Sequence, residues 1–208
     1  MNYKKIPILH RMTTTFFFDL FGVLLGADKS TLLNFIAKRT DNSFETVEKV
    51  FINNFTEFEQ SRISFSGFFQ KIQYGLENGD KLTIDEFKST WMNQDLAELP
   101  TVNFLKTLSE NYSVNLISNV SNSYLNHLKS KFEFFTYFDH TITSEQAGSR
   151  KPSEGIFLYS LELTNATPQS AIFIDDQSTN VRAAVKIGIT GHHYTNFQNF
   201  KTFIEDYV

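Results

Sequence analysis

Thr15-Phe16-Phe17-Phe18-Asp19 opens on a threonine, runs through three phenylalanines and stops at an acid. A strand exposed on one face alternates apolar and polar residues, whereas a run without alternation fits a strand buried on both faces of a parallel sheet. The acid then sits at the strand's carboxyl end. Two further segments have this form: Ser113-Val114-Asn115-Leu116-Ile117, ending at Ser118-Asn119, and Ala171-Ile172-Phe173-Ile174, ending at Asp175-Asp176. Polar groups therefore collect at one edge of the sheet three times.

Between these strands lie stretches of crossover length with helical character, at Pro100 to Glu110, Ser121 to Phe132, Pro152 to Leu163 and Ser178 to Ile187, the last stopped by Gly188. Strands alternating with helices predict an α/β chain with a three-layer Rossmann-like parallel sheet, which binds ligands beyond the strand C-termini. From about Asp28 to Glu98 the pattern changes to helices without a convincing strand. Four apolar stripes appear there: Leu32, Phe35 and Ile36; Phe44, Val47 and Phe51; Phe65, Phe68, Phe69 and Ile72; Ile84, Phe87 and Trp91. Thr83 and Glu86 have capping-box spacing and start the fourth helix. The expected organisation is a core of residues 1–27 and 99–208, with residues 28–98 inserted as a four-helix bundle whose phenylalanines form its interior.

With 208 residues and 41% hydrophobic content the chain can bury a full core. A net charge of −4 and the lack of a basic face speak against a nucleic-acid partner. The absence of cysteine excludes disulfides, thiolate zinc sites and a cysteine nucleophile. Lys4 and Lys5 precede only the short apolar run Ile6 to Leu9, too little for a signal peptide or a membrane span, so a cytoplasmic protein is expected. Asn-x-Ser/Thr triplets at Asn54, Asn119 and Asn165 carry no weight, and the pair His192-His193 lacks metal-ligand spacing and reads as structural.

The chemistry is in the strand ends. An aspartate with its ordinary pKa of about 3.9 is ionised at neutral pH, so Asp19 needs no base to attack phosphorus. Gly22 follows closely, where a backbone N–H can meet an incoming phosphate. Ser118 and Asn119 offer a hydroxyl and backbone N–H groups for phosphoryl oxygens. Lys151, before Pro152, is placed at a helix N-terminus, where its charge and the helix dipole both favour an anion. Asp175 and Asp176 repel each other unless a cation or solvent compensates, and magnesium takes one or two carboxylates while keeping water. Each feature alone has a plain structural reading as a cap, a turn or a solvated charge.

Taken in order, the features resemble a family. Phe16-Phe17-Phe18-Asp19-Leu20-Phe21-Gly22-Val23-Leu24, Leu116-Ile117-Ser118-Asn119, Gly148-Ser149-Arg150-Lys151-Pro152 and Phe173-Ile174-Asp175-Asp176-Gln177-Ser178-Thr179-Asn180-Val181 are similar to the four signature motifs of the haloacid dehalogenase (HAD) superfamily. The resemblance covers nearly the whole chain. The helical insert stands where subfamily IA members carry a C1 cap. Arg150-Lys151-Pro152 and the paired acids are most similar to a branch holding sugar-1-phosphate phosphatases and the N-terminal phosphatase domain of epoxide hydrolases.

This resemblance implies a magnesium-dependent phosphatase of small phosphorylated metabolites, acting through an aspartyl-phosphate. In it, Asp19 is nucleophile and metal ligand, the Phe21 carbonyl and Asp176 are further ligands to Mg2+, and Asp175 supports the metal shell. Ser118 binds the phosphoryl group, Lys151 bridges nucleophile and phosphate, and Asn180 orients the acidic loop. Substrate identity and oligomeric state are left open.

One departure is informative. Most phosphatases resembling this chain have a second Asp two residues after the nucleophile, which protonates the leaving alcohol and then activates water; here Phe21 stands there. Such assistance is worth roughly a hundred- to ten-thousand-fold, about 3 to 5 kcal/mol. The expectation is an enzyme that favours sugar 1-phosphates or acyl phosphates, whose leaving oxygens need less protonation. Two alternatives follow from Phe21: a 2-haloacid dehalogenase using Arg39 or Arg62 for halide or carboxylate, and a catalytically weak protein that binds a phosphometabolite as a regulator.

Overall fold

The computed structural model describes residues 14–59 and 62–207. The readings made on residues 4–9 lie outside this set. Among the described residues no helix is long and apolar enough to cross a membrane.

Five parallel strands, β1 at Thr15–Phe18, β4 at Ser113–Ser118, β5 at His140–Thr143, β6 at Ala171–Asp175 and β7 at Thr190–His193, form one sheet in the order β5-β4-β1-β6-β7. Phe16, Phe17 and Phe18 are all fully buried, which is why the run shows no alternation. Phe17 packs on one face with Ile156, Phe157 and Leu161 of α8 (Glu154–Thr164) and with Ala183 and Ala184 of α9 (Ser178–Lys186). Phe16 meets Tyr112, at the end of α5 (Thr101–Asn111), and Phe18 meets Phe200 of α10 (Phe197–Ile204). Burying each such ring contributes roughly 1.5 to 3 kcal/mol, enough to fix the strand at the centre of the sheet. Sheet and two helical layers make the three-layer architecture expected from the alternating pattern.

From β1 the chain builds outward through β4 and β5, then returns to place β6 on the other flank of β1. The order of strands reverses between β1 and β6, and ligands of open α/β sheets bind at the carboxyl ends of the strands beside such a reversal. Phe18 pairs with Ile174 and the Asp19 N–H donates to the Ile174 carbonyl at 2.8 Å. Asp19 and Asp175 are thus level at that point.

Contacts divide the chain into one unit of residues 1–26 and 98–208 and a second of residues 27–97. The second unit holds α1 (Ser30–Thr40), α2 (Phe44–Glu59), α3 (Phe65–Tyr74) and α4 (Ile84–Met92). Leu32, Ile36, Val47, Phe51, Phe68, Ile72 and Phe87 form its buried interior, with Trp91 half-buried against them. The phenylalanines are core, as the stripes predict; Ile84 is the exception, 38% exposed at the first turn of α4. Thr83 and Glu86 close a reciprocal capping box on that helix. Two short strands escaped the sequence reading, β2 at Leu25–Asp28 and β3 at Asp95–Glu98, which pair with each other where the chain passes between the units. Next to them the Leu99 N–H donates to the Leu24 carbonyl at 2.8 Å.

Candidate active site

Asp19, Asp175 and Asp176 converge beyond the ends of β1 and β6, with one carboxylate oxygen from each lying within 4.8 Å of the others. The Lys151 ammonium is set among them, 2.6 Å from Asp19 Oδ1 and 2.7 Å from Asp175 Oδ2. Lys151, Asp175 and Asp19 are 1%, 0% and 8% exposed, so these three charges are largely shielded from solvent. Burial pushes the Asp19 carboxyl up to about 8, with repulsion from Asp175 and Asp176 adding to it and Lys151 opposing it. Asp176 rises to about 6, first from burial and then from Asp175. Burial works to lower the Lys151 pKa, but attraction to Asp175 and Asp19 outweighs it and holds the ammonium above its usual range. Three acids share one lysine here, and a further positive charge would relieve them.

The paired acids differ in their partners and burial. Asp175 accepts from Lys151, from the Gln177 N–H at 2.7 Å and from the Asn180 amide at 3.1 Å, so both of its oxygens are occupied by protein donors. Asn180 reaches both of those oxygens. Asp176 is half-buried, and its side chain accepts from the Gln177 amide at 3.2 Å. His193 Nε2 lies 3.0 Å from the Asp176 carbonyl, while His192 is buried and stacked on Phe203 at 4.2 Å.

The turn after Asp19 explains Gly22 and corrects one expectation. Its N–H does not face a ligand: it donates to the Leu25 carbonyl at 2.9 Å. The glycine is needed for its φ of +80° and for space, because a Cβ there would lie 2.4 Å from Asp176 Oδ2. Among the described residues, the N–H groups of Leu20 and Phe21 and the Phe21 carbonyl join none of the backbone bonds of this turn. Each is a candidate to meet a ligand. Nothing in the sequence singles out Leu20, whose side chain is fully buried and whose carbonyl accepts from the Leu24 and Leu25 N–H groups.

The Phe21 ring lies nearly parallel to Tyr124 of α6 (Asn122–Lys129), 13° between planes and 6.2 Å between centroids. Both are half-buried, and burial raises the Tyr124 phenol. Phe21 itself is an aromatic surface with no titratable group.

Ser118 ends β4 at 2% exposure. Since Leu116 pairs with Phe18, Ser118 stands level with Leu20. The Asn119 side chain turns to the backbone of Lys151, its amide donating to the Lys151 carbonyl at 2.9 Å and its Oδ1 accepting from the Lys151 N–H at 2.8 Å. Lys151 is not at the first turn of a helix as expected. Helix α8 begins at Glu154 with Ser153 as N-cap, and a turn closed by the Ser153 N–H on the Arg150 carbonyl separates the two. Arg39, considered above for halide, is paired with Glu86 at 3.1 Å.

An oxygen-rich set of three carboxylates at the carboxyl ends of neighbouring strands fits a hard divalent cation. The sequence pattern of the haloacid dehalogenase-like hydrolase family matches residues 17–192, spanning every element of this site. The chain belongs to that family. This haloacid dehalogenase-like hydrolase is 26% identical over 183 residues to a D-ribitol-5-phosphate phosphatase of Bacteroides thetaiotaomicron, covering 82% of this chain and 86% of the relative. A flavin mononucleotide hydrolase of Arabidopsis thaliana is 30% identical over 103 residues, which span 49% of this chain and 42% of that longer one. Among solved structures, a HAD family enzyme of Bacteroides thetaiotaomicron in complex with magnesium and inorganic phosphate superposes with a TM-score of 0.62 at 25% identity, over 89% of this chain and 95% of that one.

Proposed function

We propose that this hydrolase is a magnesium-dependent phosphatase of small phosphorylated metabolites. The observation that carries the reading is the buried cluster of Asp19, Asp175 and Lys151 at the strand reversal, with half-buried Asp176 beside it. The Bacteroides relatives, a phosphatase and an enzyme that binds magnesium with phosphate, support it.

Asp19, Asp176 and the Phe21 carbonyl would hold the cation, with Asp175 supporting them. When bound, magnesium supplies positive charge that keeps Asp19 ionised and offsets charge on the phosphate. An Asp19 oxygen attacks phosphorus, the P–O bond to the leaving group breaks, and the released oxygen takes its proton from water, since Phe21 has none to give. Water then attacks the aspartyl-phosphate and frees inorganic phosphate and the Asp19 carboxylate. Lys151 steadies nucleophile and phosphoryl oxygens, while the Ser118 hydroxyl and the N–H groups of Leu20 and Phe21 receive the remaining oxygens. Phosphoryl transfer depends mainly on such positioning and charge compensation, so the chemistry survives the loss of the usual second acid.

The Phe21–Tyr124 stack supports a preference for good leaving groups, sugar 1-phosphates and acyl phosphates before simple alkyl esters. Residues 28–98 are the C1 cap and set specificity, in this reading. The test is phosphate release from a panel of phosphorylated metabolites with and without magnesium, with Asp19→Asn as the blank. Magnesium-dependent release that Asp19→Asn abolishes is the expected result. Fastest turnover of simple alkyl monoesters would overturn the leaving-group preference, and chloride release from 2-haloacids without magnesium would overturn the phosphatase reading.

A further inference from the structure

We infer that Asn119 is a positioning residue that acts through Lys151, fixing the lysine's backbone so that its ammonium falls between Asp19 and Asp175. The inference rests on the phosphatase reading only for its consequence on phosphate, since the geometry stands without it.

The Asn119 amide makes two opposed hydrogen bonds to one residue, an N–H donated to the Lys151 carbonyl at 2.9 Å and an oxygen accepting the Lys151 N–H at 2.8 Å. Flipping the amide would set donor against donor and acceptor against acceptor, so the network fixes its orientation. The arrangement copies one rung of a β-ladder with a side chain. It joins the end of β4 to a segment that lies in neither helix nor strand, since Lys151 is in the turn before α8. A lysine side chain carries about 2 kcal/mol of rotamer entropy, so an anchored backbone matters more for it than for a short residue.

From the other end, Lys151 is held by Asp175, and Asp175 by Asn180 and the Gln177 N–H. Two asparagines thus brace the lysine, one through its backbone and one through its counter-ion. Ser118 precedes Asn119 directly, so the strand end that presents the hydroxyl also sets the lysine. With its amide engaged in this way, the Asn119 side chain is not a phosphate ligand.

The test uses the full chain in two measurements. In protein labelled with nitrogen-15 at lysine Nζ, the Lys151 ammonium, shut from water between two carboxylates, gives its own slowly exchanging signal. Asn119→Ala should broaden or remove it, whereas Asn119→Asp, which keeps the acceptor, should retain it in part and covers the case in which the alanine variant does not fold. Inorganic phosphate binding with magnesium is then measured calorimetrically in a double-mutant cycle with Lys151→Met. Asn119→Ala should weaken phosphate about tenfold with Lys151 present and less than about twofold without it. An unchanged signal in Asn119→Ala overturns the inference, as does an equal loss of affinity in both backgrounds, which would make Asn119 a direct ligand. If the wild type binds no phosphate, the phosphatase reading falls and the ammonium signal alone decides the positioning role.

Discussion

The Lys151 ammonium stands 2.6 Å from Asp19 Oδ1, with the two side chains 2% and 12% exposed. Removing one partner of a buried ion pair leaves the other charge without compensation, at a cost of about 3 to 5 kcal/mol. Lys151→Met should therefore lower stability by about that amount in urea denaturation at pH 8 and abolish turnover. The loss should be smaller at pH 5, where Asp19 can take up a proton instead. An equal loss at both values would separate the lysine from the acid.

The metal-free protein should lose stability as pH rises from about 4 to 8. Asp19 and Asp176 are displaced upward from their ordinary 3.8, to about 8 and about 6. Over that window the unfolded chain gives up protons that the folded chain keeps, so the stabilisation present at low pH disappears as pH climbs through the folded values. The midpoint should fall between pH 5 and pH 8, and less steeply in Asp19→Asn. Magnesium at a hundred times its dissociation constant should restore roughly 5 to 11 °C at pH 8, and less at pH 5. Thermal scans at both values, with and without the ion, read this directly, and a rising metal-free midpoint would be the contrary result.

Gly22→Ala should harm cation binding more than it harms the fold. The new methyl would meet Asp176 Oδ2 at 2.4 Å on a backbone of φ +80°, a strain of about 1 to 3 kcal/mol. Asp176 must move to admit it. Calorimetric titration should show magnesium bound at least about tenfold more weakly, and unchanged affinity would mean that Asp176 does not hold the ion.

Phe21→Asp should raise turnover of alkyl phosphates by about tenfold or more and leave sugar 1-phosphates less affected. The substitution places a proton donor where the Phe21 ring now stacks on Tyr124. Equal gains on both substrate types would remove leaving-group protonation as the reason for the preference.

The central strands were legible because burial on both faces leaves a mark in composition: Phe16 to Phe18 and Ile172 to Ile174 have no polar residue to place. The edge strands β5 and β7 carry His140, Thr141, Thr190 and His193 and no run of apolar residues, so their composition does not mark them as the central strands are marked. The short β2 and β3 pair is largely exposed and gives no pattern at all. In the site the acids and the lysine could be read because their chemistry is in the side chain and they recur at strand ends. The tie of Asn119 to the Lys151 backbone and the meeting of Phe21 with Tyr124 depend on residues far apart in sequence. The N–H of Gly22 could not be judged before the turn to Leu25 was seen. Lys151 was misplaced at a helix start because a proline there suggests one, while the turn before Ser153 leaves no trace in composition.

Leu24 and Leu99 are joined by one backbone hydrogen bond although the residues between them form a unit with its own interior. A chain whose two cut ends already touch can lengthen, shorten or trade the intervening part without asking the sheet to change register, because closing a loop between neighbouring points adds little entropy cost. Heredity is thereby given a seam. Mutation can remake residues 27–97 wholesale while the strand-end acids and their lysine are inherited intact.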